Sequence, residues 1–230
     1  MLAALLQQIS LMDDIAAVWF ILCWAGYGML SEHGGLAKRG LVGLSHAYRV
    51  AWARAMLQRE VRIVDSALVG NLMGSVSFYA NTSIYIVVGL VTVLSTVDKA
   101  IVVAQTLPFA LTVGRQLWEV KLLLLLGIFV FSYFKFTWSL RQFNLLSILI
   151  GAAPMPGVAA AESERFALKL AAVNTLAGDE FNRGIRAYYF GLAALSWFWQ
   201  PWALIAATTL VVIVLYRRDF ASPTLMVLHE

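Results

Sequence analysis

Lys135 stands four residues before Ser139 and seven before Gln142 in an almost unbroken apolar run. That run, Lys121–Gly151, reads KLLLLLGIFVFSYFKFTWSLRQFNLLSILIG and is long enough to cross a bilayer. A charge such as Lys135 or Arg141 at the centre of a bilayer costs on the order of 2.5–3.5 kcal/mol. It is tolerated where it faces protein or water, or where a long stem carries it back to the headgroups. At about 100° per residue, Lys121, Ser132, Lys135, Ser139 and Gln142 share an arc of about 80°. Thr137, Arg141 and Asn144 cluster on the opposite side. In the preceding apolar run Asn71, Ser75 and Thr82 lie within about 40°, with Tyr79 beside them. The spacing of Gly70 and Gly74 there would let a neighbouring helix approach closely. Two aligned polar stripes predict helices that face each other or share a polar lumen. The alternative is hydroxyls and amides bonding across helices, each worth roughly 0.6 kcal/mol.

Other chemistry is sparse. His33, His46 and His229 lack metal-ligand spacing to one another or to Cys23. No span holds paired carboxylates, and neither a glycine-rich phosphate loop nor a nucleophile elbow is present. Asp65 suits the first turn of a helix. The Asn81-Thr-Ser83 sequon lies inside a span, out of reach of glycosylation. The expectation is a protein that is not an enzyme and carries neither metal nor cofactor.

The elements that must position these residues follow from composition. Of 230 residues, 61% are hydrophobic and 13% charged, and the mean hydropathy is +0.78. Soluble domains run at about 45–50% apolar and about 25% charged, so the chain is an integral membrane protein. Cys23, the single cysteine, excludes an intrachain disulfide and reads as a small packed hydrophobe. The N-terminus lacks a basic region and places Asp13 and Asp14 before the first apolar run, so that run is expected to stay as a span.

Four spans are predicted in a single all-α membrane domain covering 1–230: about 11–30, 64–97, 121–151 and 187–216. At 1.5 Å per residue the second and third exceed a core of about 30 Å and are expected to project beyond it. Basic segments about 31–62 and 152–186 lie between spans, and the first should be helical over Leu44–Arg62. The net charge of +4 comes from residues flanking the membrane, not from a nucleic-acid patch. The stretches Ser31–Arg62 and Lys135–Arg186 together hold 12 of the 17 lysines and arginines. These sides are therefore placed in the cytoplasm and both termini in the periplasm. Arg217 and Arg218 after the fourth span run against that placement.

Arg49, Arg54, Arg59 and Arg62 point in several directions round their helix, as expected of contacts to anionic headgroups or a partner. Gly151–Gly157 must be a loop. The helix after it, Ala159–Ala177, carries Glu162, Arg165 and Lys169 on one solvated, salt-bridged face. Asp98–Glu119, with Pro108 and Gly114, reads as an interfacial helix and turn ending at Trp118. Pro201 predicts a kink in the fourth span, and Trp197, Trp199 and Trp202 read as packing.

Three stretches carry a family resemblance: IVDSALVGNLMGSVSFYANT, LWEVKLLLLLGIFVFSYFKFTWSLRQFNLLSILIGAAP and FNRGIRAYYFGLAALSWF. They resemble the bacterial branch of a membrane family defined as domain of unknown function five-nine-nine, which also occurs in plants. The resemblance extends from the first span to Tyr216-Arg-Arg-Asp219. It implies a multi-span helical protein of the bacterial inner membrane and assigns no activity, substrate or site.

Two functions compete. In the first, Lys135, Arg141, Ser139, Gln142, Asn71, Ser75 and Thr82 line a channel, transport or binding pathway in a homo-oligomer. Its cationic lining would favour small anions or anionic lipid. In the second, the protein is a non-catalytic accessory or scaffold subunit of a larger membrane complex.

Overall fold

The computed structural model describes residues 10–32, 40–106 and 114–229. His33, Lys38, Arg39 and Pro108 lie outside them. The described chain is helical: α1 Leu11–Glu32, α2 Leu41–Leu57, α3 Ile63–Ser95, α4 Val97–Gln105, α5 Arg115–Gly151, α6 Ala160–Leu195, α7 Pro201–Phe220 and α8 Pro223–His229. A single 3₁₀ turn, Ser196–Phe198, links α6 to α7. Among the described residues three helices, α1, α3 and α5, are long and apolar enough to cross a membrane.

At 1.5 Å per residue α1 is about 33 Å long, whereas α3 and α5 reach about 50 and 55 Å. The long helices therefore outrun α1, and their core divides into two tiers. Phe20 of α1, Leu125, Ile128 and Phe129 of α5, Phe190 of α6 and Leu204 of α7 fill the tier shared with α1. Met56 of α2, Val69 and Val76 of α3, Phe143 and Leu146 of α5 and Leu170 of α6 fill the other. The basic segments flank this second tier.

The antiparallel pair α5 and α6 is the spine, and its register comes from small residues. Ala177, Gly184 and Gly191 recur at seven-residue spacing on α6. Phe136 lies over Gly184 and Phe129 over Gly191. Ser132 Oγ donates to the Gly184 carbonyl at 2.9 Å, and Ser139 Oγ to that of Ala177 at 2.7 Å. Backbones this close suit van der Waals packing between membrane helices, where lipid offers no hydrophobic drive.

The stretch 187–216, expected as a fourth span, is divided between two helices. It is not one helix with a kink: α6 ends at Leu195, Gln200 is extended, and Pro201 opens α7 at its first turn. Proline lacks an N–H and fits a helix start, where that donor would have no partner. The chain reverses there, so α7 runs back beside α6 and parallel to α1. Trp19 Nε1 donates to Thr209 Oγ1 at 3.2 Å, and Tyr27 Oη to Asp219 Oδ2 at 2.7 Å. At the other end of α1, Trp197 Nε1 donates to Asp13 Oδ1 at 2.8 Å. Buried Lys121 donates to the Trp197 carbonyl at 2.8 Å and stands 3.8 Å from Asp13. Asp13 and Asp219 thus lie at opposite ends of α1. Arg217 and Arg218 fall at the end of α1 where Arg183 and Arg186 lie, away from Lys121.

One smaller difference concerns the basic segments. The helix expected over Leu44–Arg62 ends at Leu57, and the chain turns into α3 through Arg59 and Arg62. Glu162, Arg165 and Lys169 of α6 are exposed, as expected for a solvated face.

Candidate binding site

At the boundary between the tiers, Lys135 Nζ lies 2.9 Å from Glu180 Oε2. Arg183 bonds Glu180 and grips Glu32 of α1 through Nε at 2.9 Å and Nη2 at 2.7 Å. Arg186 donates to the same Glu32. A second pair lies beside this one, with Arg218 Nε 3.3 Å from Asp219 Oδ1. Burial costs ions their hydration, and mutual pairing offsets that cost.

Against this belt lies a cavity of about 600 Å³ between α2, α6 and α7. Its walls are apolar and aromatic, from Tyr79, Phe181, Ile185, Tyr188 and Leu192, with Arg49, Arg186 and Arg218 at its polar end. Arg186 is committed to Glu32, and Arg218 reaches the Tyr189 hydroxyl at 3.4 Å. Arg49 differs. Its guanidinium rests on Gly178, where a β-carbon would collide with it. Its Nη1 is buried and meets no hydrogen-bond partner among the described residues. Burial makes Arg49 easier to deprotonate than an ordinary arginine, and neighbouring Asp179 partly opposes this. The Asp179 carboxyl is pushed up by the same burial, against the pull of Arg49. An unpartnered buried donor leaves a cost of about 1–3 kcal/mol that an incoming acceptor would relieve.

The other three arginines singled out from the sequence are engaged within the chain. Arg54 forks onto Glu164 at 2.6 and 3.0 Å. Arg59 reaches the buried carboxylate of Asp65 at 2.6 Å, which also accepts from Trp52 Nε1 at 2.9 Å. Arg62 donates to the carbonyl of Ala153 at 2.7 Å and to that of Pro154, closing the loop after α5.

The two polar stripes do not meet. Lys121, Ser132 and Ser139 are buried toward α6 and the turn that follows it, with Lys135 and Gln142 at the edge of that face. On α3, Asn71 and Ser75 are exposed and Thr82 is half-buried. Ser75 and Thr82 bond back to carbonyls of their own helix, at 3.2 and 2.8 Å. A β-carbon at Gly70 or Gly74 would meet open space. Lys135 and Arg141, on different sides of the wheel, nevertheless line one shallow groove with Trp138 between them. The Arg141 guanidinium lies 5.7 Å from the Trp138 ring, as at a headgroup boundary.

Glu32, Glu180 and Asp219, which complete the charged belt, were not distinguished by the sequence reading. Glu32 meets Arg183 and Arg186 of α6, and Glu180 meets Lys135 of α5, from far along the chain; of these pairs only Arg183–Glu180 and Arg218–Asp219 are local. The glycines that seat Phe129 and Phe136 did leave a signal, the seven-residue recurrence on α6.

No curated protein and no solved structure matches the chain. A family model described as protein of unknown function, DUF599, matches residues 15–224. With its apolar helices and this match over nearly its whole length, the chain belongs to the DUF599 family, a family of unknown function.

Proposed function

We propose that this multi-span protein binds an anionic amphiphile at the cytoplasmic boundary of the bacterial inner membrane. The anionic group would sit against Arg49 and Arg218, and the hydrocarbon would lie along Ile185, Tyr188 and Leu192. The observation that carries this reading is the buried, unpartnered Nη1 of Arg49 at a part-polar, part-apolar cavity of about 600 Å³. A cavity of that size suits a small ligand with one anchoring polar group. The reading keeps the anionic-lipid half of the pathway hypothesis and moves its site from the α5 stripe to the space between α2, α6 and α7. Cytoplasmic placement follows from the basic residues gathered at this end.

The test is thermal unfolding of purified protein in a mild non-ionic detergent with added dodecyl phosphate, dodecyltrimethylammonium or inorganic phosphate. Dodecyl phosphate should stabilise, while the cation and inorganic phosphate should not. A hydrogen bond from a charged donor is worth about 1.5–3 kcal/mol, so Arg49→Gln should weaken the effect at least about tenfold. Equal stabilisation by both surfactants, or no loss in Arg49→Gln, refutes the proposal.

A second reading, an accessory subunit, draws on one feature of α3. No charged residue occurs from Ser66 to Val97, yet Leu68, Leu72, Phe78 and Tyr85 are exposed along this face. Lipid accepts such a face, but the exposed Asn71 and Ser75 and the open Gly70 and Gly74 on the same helix favour packing on another helix. Cross-linking through Gly74→Cys in a Cys23→Ala background should trap a defined partner or second copy in native membranes. A product that is entirely monomeric removes this reading.

A further inference from the structure

A second cavity, of about 310 Å³, opens between α2 and α3, nearer the start of α3 than the first, with Asn174 of α6 also on its wall. Ser45 and Arg49 line both cavities. Ser45 turns its hydroxyl to the carbonyl of Leu41 at 2.6 Å, which leaves Arg49 as the charge at the waist. Beyond it the walls are Tyr48 and Trp52 of α2 and Leu68 and Leu72 of α3. The indole N–H of Trp52 is held by Asp65, so Trp52 offers this chamber an apolar ring.

Resting on the reading of Arg49 as an anion site, we infer that the ligand is a phosphodiester carrying an apolar or aromatic group on each side of its charge. One side would occupy the chamber reaching Leu192, and the other the chamber between Trp52 and Leu72. The second chamber selects a diester over a terminal phosphate. A terminal phosphate at the waist leaves the second apolar chamber facing only water, whereas a substituent there removes apolar surface from it.

The experiment compares dodecyl phosphate with dodecyl benzyl phosphate by calorimetric titration of the whole protein in mild detergent. The benzyl ester should bind about tenfold more tightly, from the apolar area it buries. Leu72→Trp fills the second chamber and should abolish that preference without changing the affinity for dodecyl phosphate. Leu68→Trp, on the same wall, is an independent filler should the first variant fold poorly. Arg49→Gln should weaken both probes. Equal affinities for the two probes, or a preference that survives both tryptophan variants, overturns the two-chamber inference alone. Binding of both probes that ignores Arg49→Gln overturns the underlying anion site instead.

Discussion

Glu180 of α6 holds the ammonium of Lys135 of α5 at 2.9 Å. The cation that looks costly in an apolar helix is thereby matched by a carboxylate 45 residues further along the chain. Glu180 also receives Arg183, so it carries two cations at the boundary.

This asymmetry makes Glu180→Ala the harsher change. It leaves Lys135 and Arg183 facing each other, and removing one partner of a buried pair costs about 3–5 kcal/mol. Partial exposure of Lys135 reduces this to about 1–3 kcal/mol. Lys135→Met should cost less, because Arg183 still satisfies Glu180. Detergent unfolding of both single variants and the double variant measures the coupling; a Lys135→Met loss as large as that of Glu180→Ala would contradict this ranking.

Seating of the α5 aromatic rings predicts opposite outcomes for two glycines. A β-carbon at Gly184 would lie 2.5 Å from the buried ring of Phe136, whereas one at Gly127 meets nothing within 4 Å. Gly184→Ala should destabilise by about 1–3 kcal/mol. Gly127→Ala should be neutral, or stabilising by up to about 1 kcal/mol. Comparable unfolding temperatures for the two variants would show that the register described for α5 and α6 is not the one that forms.

Asp179 gives a pH dependence with a definite sign. Its folded-state pKa is raised by burial, so folding favours the protonated carboxyl. That contribution is complete below the unfolded value of about 3.9 and is lost as pH rises through the raised folded value. Asp179→Asn cannot ionise and should escape the loss. Its unfolding temperature relative to wild type should therefore climb with pH across that window. A difference that stays flat, or shrinks, assigns no such role to Asp179.

The reversal at Pro201 predicts where the chain ends can be reached. In a Cys23→Ala background, Leu11→Cys and Thr224→Cys should react with an impermeant maleimide from opposite sides of the membrane. The Thr224→Cys protein should need permeabilised cells. Labelling of both from outside would restore the one-sided arrangement expected from an unbroken fourth span.

Membrane class, helical fold and the long α3 and α5 were legible in the sequence because they depend on the run length of apolar residues, a local quantity. So was the gathering of basic residues at one end. The reversal between α6 and α7 was not, since hydropathy averages over Trp197–Pro201 and cannot tell a kink from a turn. Nor was the fate of the four arginines. Arg49, Arg54, Arg59 and Arg62 are alike in type and setting along the chain, and only contacts from α3, the loop after α5, and α6 separate them. Arg54 meets Glu164, Arg59 meets Asp65, and Arg62 meets two carbonyls. Arg49 is left beside the cavity with a donor unused. By itself the sequence determined that charges lie within and beside apolar helices. Tertiary structure decided which are neutralised, because pairing energy depends on distances between residues that the chain order leaves unspecified.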